Sequence, residues 1–415
     1  MNPFELQPST VDAAFKNWST IYSKPYNKHE VDPYTKTRCI LMNGTEFEAV
    51  WFSHQFSRNC PDNDLRRDLA LIRRVEQQQQ KVIATLKPND ESILEHTISY
   101  EQLAVDLTAE LAKREPDPKV KAALDFALLE DFDHLYRYAN LLDMELGVKS
   151  EHLVGHYTEI MPGRPTVSEH RYPTDNIRNY IDCITAAPIT KLNIAIITAA
   201  EQQTMNYYMN TSAVYPNNLG RELYQEIGLI EEQHVSQYGS LMDTTLTFLE
   251  NLLMHEYNEC YLYYSCFEDE TDTYIKNIWE EHFLQEVSHL HKAAELLKKY
   301  EKKEWQQCIP IGNFPQLLAL HENKAYVRDI LKNTIQLTSK NEKYVPIHDL
   351  SKYDVFYRFQ NKLNEPLEEV PTHKVINHYI TKYGSDYRFE ESENPVPELR
   401  NRKEDNTSAG RYPIS

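Results

Sequence analysis

Two stretches of this chain place an acid and a histidine three residues apart on the apolar face of a predicted helix. One pair is Glu231 and His234, the other Glu286 and His289. Tyr224, Ile227, Val235, Tyr238, Leu241 and Met242 surround the first at helical spacing, and Trp279, Phe283, Leu290, Ala293 and Leu297 the second. Residues three, four or seven apart share a helix face, so both pairs are directed into a core. A buried charge costs several kcal/mol unless it is paired or bound to a metal. Each pair also has a lone acid upstream. Glu201 precedes Glu231 by 30 residues and His234 by 33, and Glu256 stands in the same relation to Glu286 and His289. A third set, Glu101, Asp131 and His134, repeats the spacing with Asp in place of Glu. Around it, DFDHLYRYANLLD (131–143) aligns without gaps with EEQHVSQYGSLMD (231–243).

The elements that must position these residues are helical hairpins. Amphipathic patterns predict helices over 64–86, 91–113, 118–146, 188–211, 218–246, 247–267, 271–300 and 323–338, separated by breaks rich in Pro, Asn and Asp. In each of three hairpins, the lone acid lies on the first helix and the acid-x-x-His on the second. Each acid is a similar distance from its turn, roughly 20 Å at 1.5 Å per residue, so the groups share one height. The lone acids also lie on apolar stripes: Glu201 with Ile194, Ile197 and Tyr208, Glu256 with Leu252, Leu253 and Tyr263. The expected fold class is all-α: three αα-hairpins over 62–300, an irregular N-terminal arm over 1–61, and a C-terminal extension over 301–415 with short helices and an extended tail from 385.

Two lone acids and two acid-x-x-His pairs on four helices can hold two metal ions, with carboxylates bridging and one imidazole on each ion; Fe and Mn accept such a set. These residues resemble the ferritin-like di-metal carboxylate superfamily over roughly 92–300. The resemblance implies a ferritin-like helical bundle and a metal site of Glu201, Glu231, His234, Glu256, Glu286 and His289, with Glu101, Asp131 and His134 as a further set. It implies two Fe ions, or Mn as the alternative, and an oxidoreductase of oxygenase or peroxidase type that reacts with dioxygen or peroxide, with a small organic substrate possible. His282, four before Glu286, is similar to the third histidine of the arylamine N-oxygenase branch. Glu259, three after Glu256, is similar to the extra carboxylate of rubrerythrin-type sites.

Which two hairpins form the site is open at this stage. Ligand types favour the second and third; only 22 residues separate His234 from Glu256, which suits a tight turn after about 243. Connection length favours the first and second, since 67 residues between His134 and Glu201 suffice for a crossover. A site drawing on all three, or two sites, are further arrangements. The competing readings are a metal-binding or iron-handling protein without organic substrate, and a metal-free structural bundle whose acids bond to His and Tyr. The tyrosines at 207–208 and 261–264 read as packing residues, and His96, His170, His255 and His291 as surface or supporting groups.

The balance of the chain narrows its partners. With 44 basic and 63 acidic residues among 415, the net charge is -19, which argues against nucleic acid and anionic membranes. No apolar run approaches the ~20 residues of a membrane span, and no signal peptide is legible at the N-terminus, so a cytoplasmic location is expected. The six scattered cysteines contain no C-x-x-C pair, which excludes a rubredoxin-like module and predicts free thiols. The N-terminal arm and the tail are expected to pack on neighbouring subunits or to cover the bundle; the first would make a homo-oligomer.

Overall fold

Helix starts in this chain are written in its capping residues. Asp32, Asp62, Asp117 and Asp272 each accept backbone N–H bonds from the first turn that follows, and Ser92 and Thr247 close capping boxes with Glu95 and Glu250. Such caps contribute about 1 kcal/mol each. Gly147 and Gly384 end helices at positive φ, where a side chain would be strained. The computed structural model describes residues 1–388 and 393–400. Its elements are α1 (Trp18–Ile21), α2 (Pro33–Asn59), α3 (Asn63–Ala84), α4 (Ile93–Arg114), α5 (Pro118–Leu146), α6 (Ser150–Leu153), α7 (Thr166–Glu169), α8 (Pro188–Val214), α9 (Asn218–Gly239), α10 (Phe248–Asp269), α11 (Thr273–Glu301) and α12 (Lys324–Thr334). An antiparallel ribbon of β1 (Leu337–Lys340) and β2 (Lys343–Pro346) follows, then α13 (Val355–Asn364) and α14 (Pro371–Tyr383). The fold is all-α, as the periodicity predicts.

The chain divides into two compact units, neither contiguous in sequence. Unit 1 comprises residues 1–91, 180–203 and 242–320; unit 2 comprises 92–179, 204–241 and the described residues from 321. The division falls inside α8. In unit 1, α2 pairs with α3 and α10 with α11, and α2 packs on α10. In unit 2, α4 pairs with α5, α5 packs on α9, and α14 covers α5 and α9.

Three expectations are corrected. The N-terminal arm is not irregular: residues 33–59 form a helix of 27 residues. Every residue from Tyr34 to Met42 is buried, so α2 is enclosed around its circumference and shows no one-sided period. The single bundle over 62–300 is instead two units, with the α2–α3 hairpin added to the three predicted. The predicted helix over 218–246 stops at Gly239, because Asp243 turns its carboxylate to the backbone N–H groups of Thr245 and Cys183. In the C-terminal extension, Val375, Ile376 and Tyr379 of α14 are buried within unit 2, and Tyr379 bonds to Asp143. Most of the predicted tail, 389–392 and 401–415, lies outside the described residues.

Candidate metal centres

Unit 2 brings two of the predicted acid-histidine sets together. Asp131 and His134 lie one turn apart on α5, Glu231 and His234 one turn apart on α9, and Glu101 on α4; all five are fully buried. Ligating atoms of Glu101, His134 and Glu231 lie within 4.8 Å of one another, as do those of Asp131, Glu231 and His234. The two groups therefore share Glu231. His134 turns Nδ1 to Glu231 Oε1 at 3.1 Å, and His234 turns Nδ1 to Glu231 Oε2 at 3.1 Å and Asp131 Oδ1 at 3.3 Å. Glu101 accepts the Tyr208 hydroxyl at 2.5 Å through one oxygen, while its other oxygen meets no hydrogen-bond donor.

The opposite nitrogen of each imidazole is held by a carboxylate that the spacing did not reveal. His134 Nε2 lies 2.9 Å from Glu169, and His234 Nε2 lies 2.6 Å from Glu130. Glu169 comes from α7, inside the connector, and Glu130 is the residue before Asp131. Glu130 is also gripped by Arg164, at 3.1 Å, and by Arg171.

These contacts set the charge states. Burial opposes the ionised form of Glu130, but Arg171, His234 and Arg164 hold its pKa well below the usual carboxylate range. Burial likewise opposes ionised Glu231, and hydrogen bonds from His134 and His234 bring it down to about 2. Glu101 and Asp131 are pushed up, mainly by burial and further by Glu231. Burial works against a charged His134, yet Glu169 and Glu231 hold its pKa well above the usual histidine range.

Unit 1 holds a different cluster. Glu256 and Glu259 on α10 and Glu286 and His289 on α11 are joined by Glu46 on α2 and by Glu76 and Gln79 on α3. Glu46 precedes Glu76 by 30 residues and Gln79 by 33. This is the hairpin repeat a fourth time, hidden because Gln occupies the histidine position. Ligating atoms of Glu76, Glu256 and His289 lie within 4.8 Å of one another, and so do those of Glu256, Glu259 and Glu286. His289 Nδ1 is 3.0 Å from Glu286, and Gln79 donates its amide to Glu286 at 2.5 Å.

The remaining sequence candidates take separate places. Glu231 and His234 belong to unit 2, but Glu256, Glu286 and His289 belong to unit 1. Glu201 lies on α8 just before the division and is buried. His282 is within unit 1, 3.3 Å from the Tyr263 hydroxyl, and burial lowers its pKa to about 3. His255 is half-buried, its ring stacked on Phe52. The tyrosine runs pack as expected, with Tyr208 against Tyr138 and Tyr224. They also reach the acids: Tyr208 bonds to Glu101 and Tyr263 to Glu46.

No protein-family model, curated protein or solved structure matches the chain. No helix among the described residues is long and apolar enough to cross a membrane.

Proposed function

We propose that unit 2 carries a dinuclear metal centre, two Fe ions or alternatively Mn, and that the protein is an oxidoreductase acting with dioxygen or peroxide. The observation that carries this reading is the posture of the two histidines. Each presents Nδ1 to the shared carboxylate Glu231 and has its Nε2 tied to a further carboxylate. Metal-ligating histidines are held in this way, the outer carboxylate fixing the tautomer and raising ligand basicity. The donor set fits: mixed oxygen and imidazole ligands suit Fe and Mn, and the free oxygen of Glu101 is a buried acceptor without a donor.

Glu101, Asp131, Glu231, His134 and His234 would hold the ions. Bound metal would supply redox chemistry toward the oxidant. The chain's own parts have definable work. Glu169 and Glu130 orient the imidazoles, Arg164 and Arg171 keep Glu130 ionised, Tyr208 fixes Glu101, and complete burial of the ligands excludes water.

None of these ligands lines the surface clefts of unit 2 at His170 and Lys374, at Arg178 and Tyr344, or at Met144 and His378. That favours a small oxidant over a bulky substrate, and it supports as a second reading a metal-handling protein without organic substrate. The test is elemental analysis of full-length protein purified without chelators, beside a His134→Ala, His234→Ala variant. The reading expects Fe or Mn in the wild type, with about two ions fewer per chain in the variant, and oxygen or peroxide consumption by the loaded wild type alone. Equal metal content in the two proteins would overturn it.

A further inference from the structure

Unit 1 buries five glutamates against one histidine. Glu46, Glu256, Glu259 and Glu286 are wholly inaccessible and Glu76 is 1% exposed. Both oxygens of Glu256 and of Glu259 meet no hydrogen-bond donor, nor does one oxygen each of Glu46 and Glu76. A hydrogen-bonded polar core would satisfy such oxygens, since a buried acceptor left without a donor costs about 1–3 kcal/mol. Six unsatisfied oxygens in one cluster therefore call for a cationic partner; among the described residues no lysine or arginine side chain hydrogen-bonds to any of the five, and Arg73 acts on Glu76 only through space.

The donors fall into two groups that share Glu256: Glu76, Glu256 and His289 on one side, Glu256, Glu259 and Glu286 on the other. The second contains no nitrogen. Gln79 stands where the other three hairpins carry histidine, and its amide donates to Glu286 instead of offering a ring nitrogen. His289 also differs from the histidines of unit 2, because its Nε2 has no hydrogen-bond partner. Carboxylate oxygens without nitrogen favour hard divalent cations, whereas added imidazole favours Fe and the later metals.

We infer that unit 1 is a second metal centre, built by Glu46, Glu76, Glu256, Glu259, Glu286 and His289, with one all-carboxylate position that takes a hard divalent cation of the Mn2+ type. It stands independently of the reading of unit 2, and the two centres differ in donor set. Unit 2 pairs two imidazoles with its acids; unit 1 exchanges one imidazole for further carboxylate. Gln79 is a positioning residue that fixes Glu286.

The experiment strips full-length protein with a chelator and loads it anaerobically with Mn2+ alone. Bound ions are counted by elemental analysis, and Mn2+ is followed by electron paramagnetic resonance. Glu256→Gln, Glu259→Gln keeps shape and removes two buried charges; circular dichroism and a thermal melt establish that it folds. About four ions per wild-type chain are expected. The Glu variant should lose about two, and His134→Gln, His234→Gln should lose the others. Gln79→His should tighten Fe2+ binding at unit 1 by about tenfold, the scale on which support of a single ligand acts. Saturation at two ions that the Glu variant leaves untouched would overturn the inference, as would loss of all four in that variant. Saturation of the wild type at two ions that the Glu variant loses and the His variant keeps would instead overturn the reading of unit 2.

Discussion

Replacing Glu169 by Gln isolates one interaction of the unit 2 centre. Glu169 holds His134 Nε2 at 2.9 Å, is itself fully buried, and its second oxygen has no hydrogen-bond partner. The amide of Gln keeps an acceptor for the Nε2 proton, so the tautomer survives and only the charge is lost. A hydrogen bond to a charged group contributes about 1.5–3 kcal/mol and a neutral one about 0.5–1.5. The difference, about 1–1.5 kcal/mol, predicts a roughly tenfold weaker ion at His134, near the lower end of the 10–100-fold range for such supporting residues. The loss should be confined to one of the two ions of unit 2, because His234 is held by Glu130 instead. Competition titration against a chromophoric chelator would resolve one weakened class beside unchanged ones. Burial pushes the Glu169 carboxyl up to about 8 despite His134, so the titration is run above pH 8, where the carboxylate is ionised. If the variant binds every ion as tightly as the wild type while His134→Ala removes metal, Glu169 acts as a neutral acid and the charge-assisted reasoning is refuted. An equal weakening of all sites would refute it as well.

Other consequences follow from the same contacts. Glu130→Ala strands Arg164, Arg171 and His234 in a buried site, and should cost about 3–5 kcal/mol in a denaturant melt. Chelator removal of metal from the whole protein should lower the melting temperature by about 5–15 °C, from the 2.7–4.1 kcal/mol that ligand at 100–1,000 times Kd contributes to a unit of roughly two hundred residues; an unchanged melt would count against both centres. Burial raises the Cys183 and Cys308 thiols to about 11, above the ordinary thiol value of 9.0, so less thiolate is present at pH 8. Their alkylation should be about 100-fold slower than that of an ordinary thiol and should rise about tenfold per pH unit, as peptide mapping after timed labelling would show.

The helices were legible wherever one face is apolar. α5 was read to the residue, and α3, α4, α10 and α11 to within a few, because capping residues and Pro mark their ends. α2 was not legible, since its first turns, buried on all sides over 34–42, carry no amphipathic signal. Its loss concealed the Glu46 repeat and made two bundles read as one. Glu101, Asp131, His134, Glu231 and His234 of unit 2 and Glu256, Glu286 and His289 of unit 1 could be found from spacing, because a helix hairpin converts a fixed sequence interval into a shared height. Glu169 could not. It sits on a single helical turn within a connector rich in His, Tyr and Pro, and reaches His134 only through tertiary folding. Glu130 lay in plain sight beside Asp131, but nothing local distinguishes an acid that supports an imidazole from one facing solvent.

The nesting of the hairpins has a consequence for how the protein is made. α2 and α3 are complete at Ala84, yet α10, which packs on α2, begins at Phe248. At about 5–20 residues per second on the ribosome, the first hairpin waits about 8–30 s for its partner. Throughout that interval its apolar face and the carboxylates of Glu46 and Glu76 are open to water, chaperones and stray cations. The middle of the chain emerges during this wait, so the innermost pair of hairpins can assemble before the outer pair does. A nascent chain arrested before residue 248 would display the first hairpin without its partner, a state that ribosome-bound intermediates should expose to proteases.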